Sequence, residues 1–155
     1  MKRGLKAFIV LGASVLGFGG QIAVAAPTLA NPQVRLWYEE TGRLSGNIAP
    51  PKTVTLWNTC IGEGDAQENA NDALFTIDVR SSGAENVDTP ITLVANGANG
   101  KILARRTYTS VLTSEAGVAV LALWVPNVGC GGRVVLNARM GAVSRSVSLD
   151  FDGGE

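Results

Sequence analysis

The run Cys60-Ile-Gly-Glu-Gly-Asp-Ala-Gln-Glu-Asn-Ala-Asn-Asp72 is the most acidic part of this 155-residue chain. Glu63, Asp65, Glu68, Asn69, Asn71 and Asp72 supply carboxylate and amide oxygens within ten positions. That is the mixture calcium takes, about six to eight hard oxygens at a time. Gly62 and Gly64 would let the backbone bend to present its carbonyls as well. The spacing departs from the D-x-[DN]-x-[DN]-G loop with its distant Glu. The stretch therefore reads as a solvated connection whose Asn and Asp residues cap local turns, and no metal is assigned. Calcium on Glu63, Asp65, Glu68 and Asp72 is the alternative.

Other chemistries are bounded by what the chain lacks. It contains no histidine, which removes Ser-His-Asp and Cys-His nucleophile systems and the usual catalytic zinc sites. No Ser-x-x-Lys, phosphate loop or dinucleotide fingerprint is present. A glycosidase would need two carboxylates facing each other across a cleft. Glu39, Glu40, Glu63, Asp65, Glu68, Asp72 and Asp78 are the raw material, but no neighbouring pattern marks any pair as buried. The expectation is a non-enzymatic protein without a cofactor. Trp37 and Trp57, each on the more polar side of an alternating stretch, form the candidate binding surface, with Tyr38 and Trp124 also available.

The N-terminus indicates the compartment. Lys2, Arg3 and Lys6 precede an uncharged apolar run over 7–17, and small residues follow at Ala23-Val24-Ala25-Ala26. This is the order of a secretory signal peptide, with cleavage expected after Ala25. The apolar run is shorter than the roughly 20 residues of a membrane-spanning helix, so no span is expected after cleavage. The remaining 130 residues, 26–155, suit one domain. They carry 10 basic against 13 acidic residues, a net charge of −3, with no basic footprint for nucleic acid. Cys60 and Cys130 are the only cysteines, and in an exported chain an even pair reads as a disulfide. Periplasmic or extracellular residence follows from the same two features.

The elements that must position these residues read as strands. Period-two alternation recurs and no helical period of any length does. Val34, Leu36 and Tyr38 share one side of a strand, as do Val54 and Leu56, Phe75, Ile77 and Val79, and Val147, Leu149 and Phe151. Residues 96–100 and Gly141-Ala142 read as hairpin turns. The run 118–125 is apolar on both faces and is expected as a central strand, stopped by Pro126. Seven or eight short strands in one all-β antiparallel domain fit a two-sheet sandwich.

Beyond the periodicity, residues 91–151 resemble bacterial immunoglobulin-like domains. The resemblance is carried by a Gly100-Lys101 hairpin, the strand beyond Gly117, and the pair "VVLNARMG" and "RSVSLDF". It implies an immunoglobulin-like sandwich and a non-catalytic interaction or spacer role, and it brings no site residues. The antibody-type pattern fits less well. Val128 stands where the corner tyrosine would precede Cys130, and no tryptophan follows Cys60 before Trp124. Gly129-Cys130-Gly131-Gly132 reads as a turn, so the disulfide is expected to join two loop-proximal ends. The functional expectation is an exported module that binds a protein partner; a pilin-like fibre subunit or a carbohydrate-binding protein is the alternative.

Overall fold

The computed structural model describes residues 25–153. The signal peptide expected over 1–25 lies outside the described residues, except for Ala25. Ten strands follow in order: β1 (Thr28–Tyr38), β2 (Arg43–Leu44), β3 (Asp72–Arg80), β4 (Asn86–Val87), β5 (Ile91–Asn96), β6 (Ile102–Tyr108), β7 (Val111–Leu112), β8 (Val118–Val125), β9 (Gly132–Met140) and β10 (Val143–Phe151). Three are two-residue fragments, which leaves seven strands of substance. One sheet runs β2-β1-β3-β8, the second runs β10-β9-β5-β6, and β4 pairs with β7; every pairing is antiparallel.

Alternation becomes burial in each long strand, because successive side chains leave opposite faces of the pleat. Val34 and Leu36 of β1, Phe75, Ile77 and Val79 of β3, and Val147, Leu149 and Phe151 of β10 all point into one core. Leu93 and Ala95 of β5 and Leu136 and Ala138 of β9 complete it from the second sheet. Both expected hairpins form. Residues 97–101 join β5 to β6, and the two-residue loop Gly141-Ala142, with Gly141 at φ 56°, joins β9 to β10.

Two expectations are corrected. The segment β8 is an edge strand, paired to β3 alone. Its inward residues Leu121, Leu123 and Val125 are buried, but Val120 and Trp124 on the other face are 61% and 42% exposed. An apolar second face usually means a covering layer; here it meets solvent. The stretch 53–57 has the right alternation, with Leu56 buried and Val54 half-buried, yet it joins no sheet. Its backbone partner is a loop. The Thr55 N–H donates to Asp65 Oδ2 at 2.6 Å, and the Asp65 N–H donates back to the Thr55 carbonyl at 2.8 Å.

Both edges of the first sheet are closed by side chains. Beyond β2, the Ser45 and Ile48 N–H groups donate to the Leu36 and Val34 carbonyls. In return, Ser45 Oγ and Asn47 Oδ1 accept from the Leu36 and Val34 N–H groups, each at 2.9 Å. At the opposite edge the Tyr108 hydroxyl, projecting from β6, donates to the Ala122 carbonyl at 2.7 Å and accepts from its N–H at 3.0 Å. The Arg106 guanidinium stacks 4.5 Å from the Tyr108 ring centroid. Unsatisfied strand edges template pairing with other chains, and these substitutions blunt that tendency.

Candidate functional site

The acidic loop is tied down along its length. Cys60, in a single turn of 3-10 helix (Thr59–Ile61), is bonded to Cys130 in the turn between β8 and β9, with Cα atoms 5.7 Å apart. The expected junction of two loop-proximal ends is what the fold contains. Ala66 and Ala70 are buried and insert the loop into the core. The Ala70 N–H donates to the Thr59 carbonyl, and the Val128 and Gly129 N–H groups both donate to Asn71 O, at 2.7 and 3.0 Å.

Each carboxylate of the loop serves a different donor. Glu63 accepts from the Asn58 amide, and Glu68 accepts from the Thr41 hydroxyl and the Arg43 guanidinium. Asp65 holds the Thr55 N–H, and Asp72 holds the Trp124 indole N–H at 2.8 Å and the Asn127 N–H at 3.0 Å. Glu39 takes the Asn71 amide, and Asp78 takes Asn31 and Arg80. Among the described residues no three acidic, cysteine or histidine groups converge as metal ligands. The acids act as acceptors for backbone and side-chain donors, some local, as Asn58 for Glu63, and some distant, as Trp124 for Asp72.

The packing at this junction gives a direct test. A Cβ on Gly129 would stand 2.3 Å from the Ala70 carbonyl oxygen and 3.1 Å from Asn71 Cα. Both are backbone atoms and cannot swing aside. Gly129→Ala is therefore expected to push the β8–β9 turn off the loop at a cost of about 1–3 kcal/mol. Chemical denaturation measures it, and an unchanged midpoint would mean the two loops are not in contact.

On the outer face of the first sheet, Trp37 and Trp124 come together. The β1–β3 register sets Trp37 beside Asp72, and the β3–β8 register sets Trp124 beside Leu74, one diagonal step away. The rings meet edge to face, with centroids 5.5 Å apart and planes inclined at 67°. This is a favoured aromatic geometry, and Asp72 fixes it by holding the Trp124 indole N–H. Leu44, paired with Trp37, and Val120 extend the same face as exposed apolar residues. Trp57, the other tryptophan expected here, stands apart on the 53–57 segment, 47% exposed. Trp124, which the sequence offers beside Tyr38 as an additional aromatic, takes the place expected for Trp57 because the outer face of β8 meets solvent.

A cleft of about 360 Å³ lies beside β1, lined by residues of β1, the 45–56 segment and the acidic loop. Leu36, Ile48 and Leu56 are buried residues of its floor, and Lys52, Asp65 and Gln67 stand among its polar lining. Tyr38 is 6% exposed and its hydroxyl bonds no described residue; it lines this cleft and a smaller lobe of about 170 Å³ next to it. Asp65 is the only carboxylate among the described residues lining the larger cleft. The expectation from sequence contained no cleft, since 45–57 has no periodicity that continues into a sheet.

No protein-family model and no curated protein matches the chain. Among solved structures it is similar to an immunoglobulin-like protein from Pseudomonas aeruginosa, at 16% identity, over 85% of this chain and 99% of that one, with a TM-score of 0.41. Its own strand order places β1, β3 and β8 in one sheet and β10, β9 and β5 in the other, with β6 added to the β5 edge. With that order and antiparallel pairing throughout, the chain folds as an immunoglobulin-like β-sandwich, and its Cys60–Cys130 bridge joins two loops at one end of it.

Proposed function

We propose that the chain is exported, loses residues 1–25, and works in the periplasm or at the cell surface as a non-enzymatic module that binds a protein partner. One observation carries the binding reading: the Trp37–Trp124 pair, oriented by Asp72 and flanked by exposed Leu44 and Val120, on an open sheet face. Fixed aromatic anchors with a polar rim are what protein interfaces use at their centres. Arg35, Asp78 and Arg80 lie on that face and supply the rim. Export is supported by the basic, apolar and small-residue order of the leader and by the disulfide. Among the described residues no helix is long and apolar enough to cross a membrane. A hydrolytic role has little support, because the larger cleft presents Asp65 alone where glycoside cleavage uses two carboxylates. The fibre-subunit reading gains no support either, since β10 completes the second sheet from within the chain.

The test is affinity capture from the native envelope with the domain 26–155 and its single-site variants. The expected result is a partner retained by the wild type and by Trp57→Ala, and lost with Trp124→Ala or Trp37→Ala. Retention by all variants alike, or no retained protein at all, would overturn the reading.

A further inference from the structure

We propose that the cleft beside β1 binds a free amino acid with an apolar side chain. The inference rests on the groups lining the cleft and is independent of the tryptophan face. The volume of about 360 Å³ falls at the lower end of the roughly 300–1,000 Å³ typical of small-molecule sites, which suits a compact ligand. Leu36, Ile48 and Leu56 give it an apolar floor. The polar groups divide by charge. Lys52 makes no ion pair with a described residue, and a Cβ on Gly46 would lie 4.0 Å from its Nζ, which places the ammonium against Gly46, just beyond β2. Tyr38 contributes a hydroxyl that bonds no described residue and opens to the cleft.

Lys52 and Tyr38 therefore suit a carboxylate. Asp65 supplies the opposite charge. Its Oδ2 is taken by the Thr55 N–H, which leaves Oδ1 to accept from an ammonium, and Gln67 also lines the cleft. Ser45 is already committed, donating to the Gly46 carbonyl and accepting from the Leu36 N–H, so it positions the wall without serving a ligand. One cation, one anion and an apolar floor match a zwitterion carrying an aliphatic or single-ring side chain. A simple carboxylic acid would leave Asp65 to solvent, and a simple amine would leave Lys52 and Tyr38 to solvent.

Isothermal titration of the disulfide-bonded domain 26–155 tests this with L-leucine and L-phenylalanine as probes. Companion titrations use N-acetyl-leucine, which lacks the ammonium, and leucinamide, which lacks the carboxylate. The expected result is saturable binding of the free amino acids and weakening of about tenfold or more for each blocked compound, as loss of a charged hydrogen bond implies. Lys52→Ala and Tyr38→Phe should weaken L-leucine binding while leaving the melting temperature of the unliganded domain nearly unchanged. Asp65→Asn keeps an acceptor for the Thr55 N–H and removes only the charge; it should erase the preference for leucine over N-acetyl-leucine. No binding of either free amino acid at millimolar concentration would overturn the proposal. So would equal binding of the blocked compounds, or wild-type affinity in Lys52→Ala.

Discussion

Cys60→Ser lowers the melting temperature of the oxidised domain by roughly 10–20 °C. The bridge spans a sequence separation of 70 residues. In the chain-entropy account, a loop of that length contributes about 4 kcal/mol, and a domain of this size loses roughly 3–5 °C per kcal/mol. The effect acts chiefly on the unfolded chain, because the native junction keeps its other ties. The Asn58 N–H still donates to the Asp152 carbonyl, the Ala70 N–H to Thr59 O, and the Val128 N–H to Asn71 O. The variant should therefore fold to the same structure and simply unfold at lower temperature. A thiol reductant should shift the wild type by the same amount and leave the variant unmoved. Equal melting of both proteins under oxidising conditions would mean that the bridge contributes nothing.

Phe75→Ala costs about 3–5 kcal/mol, the range for truncating a buried aromatic whose surroundings relax only partly. Phe75 is fully buried at the middle of β3, a strand paired on both sides. Register sets it between Val34 of β1 and Leu123 of β8, both buried, so the whole inward row would face the void. Denaturant titration checks this through a lower midpoint at unchanged slope. A loss under about 1 kcal/mol would mean the two sheets close over the gap. Trp124→Ala is the useful contrast. It lies on the outer face and should cost far less stability while removing the partner contact.

What the sequence made legible was whatever depends on near neighbours. The alternation in β1, β3 and β10 follows from the two-residue pleat and survives into the fold as burial. Turn chemistry placed both hairpins, because glycine at a positive φ is a local demand. The position of β8 was not legible, since an apolar outer face looks the same whether another layer or solvent covers it. The acidic loop shows the same limit from the polar side. Its carboxylates resemble a ligand set when read along the chain, yet Asp65 is satisfied ten residues away and Asp72 fifty-five residues away. A list of acceptors does not reveal which donors the fold will bring to them. The cleft was invisible for a related reason. Most of its lining over 45–56 joins no sheet, the alternation at Val54 and Leu56 notwithstanding, and it borrows Leu36 from a strand whose alternation already had an explanation.

The larger cleft is lined entirely by residues between Leu36 and Gln67, while β3 through β10 occupy 72–151. The cleft lining and the later strands thus occupy separate tracts of the gene, with β1 contributing to both, whereas the tryptophan face draws on both tracts through Trp37 and Trp124. Point changes within about thirty consecutive codons can alter what the cleft accepts without disturbing the alternation that builds the later sheets. A duplicated copy could acquire a different small-molecule preference by drift in that one tract. The bridge at Cys60–Cys130 would hold the altered tract to the unaltered scaffold.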